Sequence, residues 1–392
     1  MFILKEKDKG FFTAVDLTDS LEEEISAGFA NRVLKSGIGV IEASPYNFDI
    51  DFYKFCVEQR NSRAKMLGKR SLQVELAATA NGLSVLVNMK RGDKLADFDL
   101  VCGDNLYVPY GTEIIGGYFM SVINKHKGTL IFPATLKYLS KTTYDCKRIV
   151  FRDNIEGRLG LNLEKAVFMG TNVSQIVLPN TLQQLPSNAF EYANVSEVIL
   201  PPTLKEIQDR AFLRCWELSH IELPESLSFI GDAAFEESGL TSIFIPKGVV
   251  LRDYVFSRCM SLEKVHLPED LKALPWGLFS ECFGLKEIFI PDSVVEFGRD
   301  VFRACRSLSS VNMTASLLKK QLDCMDCNMF PFPAAYSAVS VLTLRFISPC
   351  RFTKADVKNI HLLFPLLKKI VIQGAAKSKV SVLEKDFQVE VV

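Results

Sequence analysis

Through the second half of the chain a seven-residue template of apolar and polar positions, Leu-x-x-Ile-x-Leu-Pro with aliphatic exchanges, returns every 22 or 23 residues. It begins at Val173, Val195, Leu218, Leu240, Leu262 and Leu285 and closes on Pro179, Pro201, Pro224, Pro246, Pro268 and Pro291; the copies at Leu308 and Leu367 lack the proline. Such a run predicts a short strand, and proline, which has no N–H to give a ladder, stops it. Three residues after each proline stands an apolar residue: Leu182, Leu204, Leu227, Val249, Leu271, Val294. Eleven residues after five of the prolines, and ten after Pro246, comes a phenylalanine: Phe190, Phe212, Phe235, Phe256, Phe279, Phe302. Three residues further a small-residue column reads Ala193, Cys215, Ser238, Cys259, Cys282, Cys305. Columns at a fixed period predict a solenoid, because one such unit cannot bury its own apolar face and must stack on its neighbours. Each unit reads as a strand, a proline-stopped turn, and a short helical or extended segment carrying the phenylalanine inward.

Degenerate copies extend the array upstream. Val108-Pro109 with Phe119 and Phe132-Pro133 with Tyr144 keep the proline-to-aromatic spacing, and Ile149-Val150-Phe151 reads as a strand without its proline. The array is thus expected from about residue 105 to about 313, in roughly nine rungs. Downstream the units lengthen. Val341 to Phe346 reads as a strand, Thr353 and Asp356 as the cap of a helix that Pro365 ends, and Leu367 to Ile372 as a restored strand. Residues 1 to about 100 carry no copy of the repeat. They read as a hairpin from Phe2 to Val15, a helix capped by Ser20 and Glu23, a short strand at Ile38 to Ile41, a helix from Asp49 to Leu67, and a hairpin turning at Asn81-Gly82.

Alternation along a strand sorts the template into two faces. The first, fourth and sixth positions face the core, so the third and fifth lie on the open face of the sheet. The fifth position reads Val177, Ile199, Glu222, Phe244, His266, Phe289, Asn312, and the degenerate rungs add Ile131 and Val150. The third is mostly polar: Gln175, Glu197, His220, Ser242, Lys264, Glu287, Ser310. An apolar surface column beside a polar one points to a protein-binding strip, and Ile199, Glu222, Phe244, His266 and Phe289 are its candidate contact residues. Two alternatives stand beside this: cross-strand stacking that stabilises the sheet without a partner, or a strip covered by the N-terminal unit or a long loop.

The motif Leu-Pro-x-Ser/Thr-Leu-x-x-Ile-x-x-x-Ala-Phe-x-x-Cys-x-x-Leu, which Pro201 to Leu223 and Pro224 to Ile245 match closely, resembles the leucine-rich repeats of the BspA-like class. That class occurs in bacterial surface proteins and effectors and in some protists. The resemblance implies a curved parallel sheet with binding or adhesion as the usual role, and repeat-only members lack a catalytic centre. The expected fold is therefore an α/β repeat solenoid: an N-terminal α+β unit over 1–100, leucine-rich repeats over 101–320, and C-terminal capping repeats over 321–392. The expected function is a non-enzymatic scaffold that binds a protein partner, a host protein included, through the concave sheet, as in a bacterial effector or adhesin.

Composition narrows this picture. The 46 basic and 46 acidic side chains balance, so no basic excess draws the chain to nucleic acid or anionic lipid. No apolar run approaches the roughly 20 residues that span a bilayer, and the start has no signal-peptide core. A cytoplasmic protein, or one exported without an N-terminal signal peptide, is expected. Four of the ten cysteines fill the small-residue column, where reduced thiols act as small buried hydrophobes. Cys324 and Cys327, with Cys305 and Cys350, would make a zinc set, but a zinc ribbon needs a second closely spaced pair, so neither metal nor cofactor is expected. The histidines, His126, His220, His266 and His361, all lie beyond residue 100. This leaves the N-terminal unit only Asp49, Asp51 and Cys56 as loose catalytic candidates, and acidic residues at a helix start usually serve the helix dipole. Gly37-Ile-Gly39 lacks the remaining spacing of a nucleotide loop. No catalytic residue is expected; the alternative is an effector enzyme or toxin with activity in residues 1–100 and target selection by the repeats.

Overall fold

Each repeat of the sequence becomes one coil of a parallel-sheet solenoid. The computed structural model describes residues 2–8, 11–16, 21–26, 40–43, 50–79, 82–152, 161–323, 337–374 and 381–392, as backbone alone up to residue 43. It divides into two units, residues 1–167 with 172–182, and residues 168–171 with 183–392.

In the first unit, Phe2–Asp8 and Phe11–Asp16 form the expected hairpin. Leu21–Ser26 pairs antiparallel with Phe11–Asp16 as a strand, which corrects the helix read from Ser20 and Glu23. A capping box stabilises a helix start by a few tenths to about 2 kcal/mol, less than six residues of ladder supply. The helix Ile50–Met66 is present. Gln73–Thr79 and Gly82–Asn88 make the second hairpin, and Gly82–Asn88 continues parallel into Ile114–Ile115, Tyr138–Leu139 and Asn162–Leu163. The join is fixed by Glu113, which is buried and accepts from the Val85 N–H at 2.6 Å while pairing with Lys137 at 2.5 Å. On the other side of these coils run Asn105–Tyr107, Thr129–Phe132, Asp145–Phe151 and Asn172–Val177, all parallel. Phe132 stacks on Phe151 at 5.0 Å and meets Tyr144 edge-on, so the degenerate rungs keep an aromatic core.

The second unit holds the regular coils, and each has three sides. The front side carries the template strands Glu197–Ile199, Ser242–Phe244, Lys264–His266, Glu287–Phe289 and Ser310–Thr314. The turn that follows closes with the N–H three residues on donating to the proline carbonyl at Pro179, Pro201, Pro224, Pro268 and Pro291, as in Leu204 to Pro201 at 3.1 Å. A two-residue strand then forms the second side, with Gln184–Leu185, Glu206–Ile207, Phe229–Ile230 and Val250–Leu251 in one parallel run.

The third side is neither helical nor extended, contrary to the reading of the phenylalanine segment. Residues two before and two after each phenylalanine lie in the left-handed region, as at Asn188 and Tyr192, Arg210 and Arg214, Ala233 and Glu237, and Tyr254 and Arg258, with φ between 53° and 60°. Twelve non-glycine residues adopt positive φ among the described residues, each at a cost of about 1–2 kcal/mol. Interlocking hydrogen bonds offset it. From Phe190 to Phe279, the N–H groups of each phenylalanine and of its two left-handed neighbours all donate to carbonyls of the next coil, as in Phe190 to Ala211 at 2.7 Å and Phe256 to Leu278 at 3.1 Å. This back ladder runs unbroken. On its outer surface Arg214, Glu237, Arg258 and Glu281 alternate in charge at 3.0 to 3.4 Å, and Arg214 reaches the Tyr192 hydroxyl.

The core is the phenylalanine column. Phe168, Phe190, Phe212 and Phe235 stack face to face at 5.0 Å; the steps then widen to 5.6, 5.8 and 5.9 Å through Phe256, Phe279 and Phe302. Beside it the cysteine column does more than fill space. The thiols of Cys215, Cys259, Cys282 and Cys305 each donate to the carbonyl of the phenylalanine one coil earlier, at 3.0 to 3.1 Å. All four are free and buried, and burial pushes the Cys259 and Cys305 thiols up to about 12.

At the C-terminal end the longer repeats continue the front sheet, with Val341–Arg345, Lys369–Gln373 and Gln388–Val391 adding parallel strands after Ser310–Thr314. The capping box at Thr353 and Asp356 opens the helix Lys354–Leu363 as expected. Asp356 is buried and takes Lys319 at 2.7 Å. Burial works to raise its carboxyl, but the bonds from Lys319 and Thr353 outweigh this and hold it below the usual carboxylate range.

Candidate functional site

Strand alternation decides which front-side residues reach solvent. Val198, Ile243, Ile288 and Val311 point into the core and are buried, whereas the neighbours two positions apart turn outward. Ile199, Phe244 and Phe289 are 42%, 62% and 47% exposed. These are high values for large apolar groups held in regular strands, where a buried side chain of this size is worth about 1.5–3 kcal/mol. Glu222 and His266 are exposed in the same column. All five candidate residues thus lie along one face of the second unit, in the order aliphatic, acid, aromatic, imidazole, aromatic.

The column has internal structure. The Phe244 and His266 rings lie 6.1 Å apart, tilted to one another. Glu222 and His220 share a coil whose residues 218–223 form no ladder strand, and the His220 imidazole stands 3.8 Å from the Glu222 carboxylate. The column beside it presents Glu197, Lys264 and Glu287, all exposed. Ile131, which the sequence places in the same apolar column of the first unit, is buried instead, between Tyr107 and Val150 of the flanking strands.

Arg345 closes the strip and went unnoticed in the sequence. Its guanidinium lies 4.2 Å from the centre of the Phe289 ring and is held by Asp292 at 2.7 Å, by the Asn312 side chain and by the Ile290 carbonyl. A cation fixed over an aromatic face contributes about 0.5–2 kcal/mol, so Phe289 is both covered on one side and pre-ordered. The signal that would have found Arg345 is the alternation itself, since Val341, Thr343 and Arg345 continue the outward positions of the preceding strand.

Among the described residues the chemistry-bearing candidates do not converge. Cys324, Cys327 and Asp49 lie outside the described residues, as do the side chains of Asp51 and Cys56. Cys305 is spent on the Phe279 carbonyl, and Cys350 lies near the Ala315 carbonyl at 3.7 Å. His126 meets the Asp104 carbonyl, and His361 stacks on Phe387 at 4.5 Å beside Asp386. Among the described residues there is no group of three or more histidine, cysteine or acidic side chains arranged to hold a metal ion, and no helix is long and apolar enough to cross a membrane.

Comparison with known proteins agrees with the architecture. The BspA type leucine rich repeat region matches in six copies, over residues 161–252 and 230–330. Among solved structures the chain is similar to a leucine-rich repeat protein of T. pallidum, at 22% identity over 60% of this chain and 87% of that one, with a TM-score of 0.35. It is also similar to a leucine-rich repeat protein from Bacteroides ovatus, at 18% identity over 82% and 98% with a TM-score of 0.34. A third is the pneumococcal vaccine antigen PcpA, at 15% identity over 82% and 97% with a TM-score of 0.33. No curated protein matches the sequence. Repeats of this class suggest a protein-interaction scaffold and are typically non-enzymatic. Template, phenylalanine stack and thiol ladder coincide over the matched residues, and through them residues 161–330 are a BspA type leucine rich repeat region.

Proposed function

We propose that this protein is a non-enzymatic scaffold that binds a protein partner on the front sheet face of its second unit, through Ile199, Glu222, Phe244, His266 and Phe289. One observation carries the reading: three large apolar side chains, led by Phe244 at 62% exposure, stand in a single outward column although the core beneath them is complete. Exposed apolar groups set in line and rimmed by charge are what a recognition surface requires. Cross-strand packing accounts for less, because Glu222 separates Ile199 from Phe244 and only one ring pair in the column, Phe244 with His266, is in contact. The wider setting, a bacterial effector or adhesin that acts on a host protein, rests on the repeat class alone.

The test is a pull-down from host and self lysates with the full chain, compared with the double variant Phe244→Asp, Phe289→Asp. Both side chains project outward from the sheet and are exposed, Phe289 under the Arg345 guanidinium, so the variant keeps the wild-type circular dichroism spectrum, and the partner is lost. Equal recovery by the folded variant would sink the proposal.

A further inference from the structure

The column does not present its apolar groups on successive coils. Ile199, Phe244 and Phe289 fall on every second coil, and the coils between carry Glu222 and His266. The distance this sets can be read from the core beneath, where Phe212, Phe235, Phe256, Phe279 and Phe302 belong to the coils concerned and step by 5.0, 5.6, 5.8 and 5.9 Å. In this stretch the front side keeps a ladder between Phe244 and His266. Residues 218–223 form no ladder strand, and Lys264–His266 and Glu287–Phe289 belong to separate sheets, so the front coils are not drawn to the ladder spacing of about 4.8 Å there.

Few backbone conformations repeat at this interval. Successive apolar sites are separated by roughly 10.6 to 11.7 Å, and the outer pair by about 22 Å. An α-helix rises 1.5 Å per residue, so side chains seven apart repeat at about 10.5 Å and fourteen apart at about 21 Å. A strand repeats a face at about 6.6 Å and a polyproline segment at about 9.3 Å, which falls short by nearly 4 Å over two repeats. Charge completes the match. Glu222 is 92% exposed at its side chain, and Glu197 lies exposed in the neighbouring column, so the face is acidic at its N-terminal end.

We infer that the strip takes an amphipathic α-helix of the partner, lying across the coils along the solenoid axis. Its apolar residues at i, i+7 and i+14 meet Ile199, Phe244 and Phe289, and a lysine or arginine half a heptad from the first meets Glu222. This rests on the proposed binding role of the same face, and helix-in-groove recognition supplies its energetics.

The experiment is selection from a phage-displayed library of random 22-residue peptides on the full chain, with counter-selection against the Phe244→Asp, Phe289→Asp variant. The expected outcome is a set of sequences with apolar residues seven apart and a basic residue three or four from the first. Affinity of the selected peptides for Glu222→Lys falls about tenfold, and replacing their basic residue by glutamate restores it. Strip-dependent peptides with a two- or three-residue period would overturn the helix while leaving the binding face intact. A selection that yields no strip-dependent peptide overturns both. A selected seven-residue period that is indifferent to Glu222→Lys overturns the assigned register.

Discussion

Phe256 offers the sharpest test of what holds the coils together. Its ring is fully buried and stacks on Phe235 at 5.6 Å and on Phe279 at 5.8 Å, with interplanar angles of 15° and 8°. Truncation to alanine removes the transfer free energy of the ring and leaves a cavity between two coils, together about 3–5 kcal/mol. Phe256→Leu keeps most of the buried volume and forfeits the two ring pairs, each worth about 0.5–1.5 kcal/mol, so about 1–3 kcal/mol is expected. Because a solenoid is stabilised by nearest-neighbour interfaces, the lesion acts locally. The chain has two tryptophans, Trp216 and Trp276, one in the coil of Phe212 and the other in the coil of Phe279. Urea unfolding followed by fluorescence, with Trp216→Phe and Trp276→Phe backgrounds to separate the signals, therefore reads both sides of the lesion. In the parent chain the two transitions coincide; in Phe256→Ala they separate. A loss below about 1.5 kcal/mol for Phe256→Ala, or equal losses for alanine and leucine, would refute the stacked column as the main cohesive element.

Three further outcomes follow from the same geometry. The buried thiols make stability fall in alkali: their folded pKa values are raised by burial, to about 12 for Cys259 and Cys305, so the neutral-thiol contribution is complete below the unfolded value and is lost as pH rises toward 12. One unit above an unfolded value of about 8.5, each such thiol has forfeited about 1.4 kcal/mol, and Cys259→Ala with Cys305→Ala flattens the slope of urea stability between pH 8.5 and 9.5. Asp356 has its carboxyl held low, so its contribution is present above about pH 4 and lost as pH falls through the folded value. Asp356→Asn costs about 1–3 kcal/mol at pH 7 in chemical denaturation and removes that acid-limb dependence. Gly170→Ala, with φ at +64° and open space around the added Cβ, costs about 1–2 kcal/mol. Gly277→Ala costs more in the same urea assay, since its Cβ would meet the Tyr254 ring at 2.3 Å, and adding Tyr254→Ala brings the penalty back to the lower figure.

The legible part of this fold was the part specified by side-chain type at a fixed period. Core positions such as Leu204, Phe212 and Cys215 declare themselves because burial tolerates few residues and the same depth recurs in every coil. The back ladder was not legible. Most of its left-handed positions hold arginine, glutamate, tyrosine or alanine, none of which favours positive φ, and they are imposed by three inter-coil hydrogen bonds per junction that no local pattern encodes. The strand at Leu21–Ser26 escaped for the converse reason: a capping signal was present and antiparallel pairing with the preceding strand overrode it. The candidate face was legible as a set of outward positions, yet Arg345, 56 residues beyond Phe289 in sequence, joins it only through the parallel register of a capping strand.

Two ladders of different continuity divide the labour within the second unit. The back ladder and the phenylalanine stack run through every junction from Phe190 to Phe302, so cohesion between coils does not depend on the front strands. The front sheet can therefore lapse at residues 218–223 and again between His266 and Glu287 without parting the coils. Where backbone pairing is relaxed, side chains are released from the cross-strand matching that otherwise governs a sheet face. Glu222, His266 and Phe289 all sit at those lapses. A scaffold held together from behind leaves the front column free to vary in residue type and spacing, which is the condition for a repeat protein to acquire a specific partner without rebuilding its core.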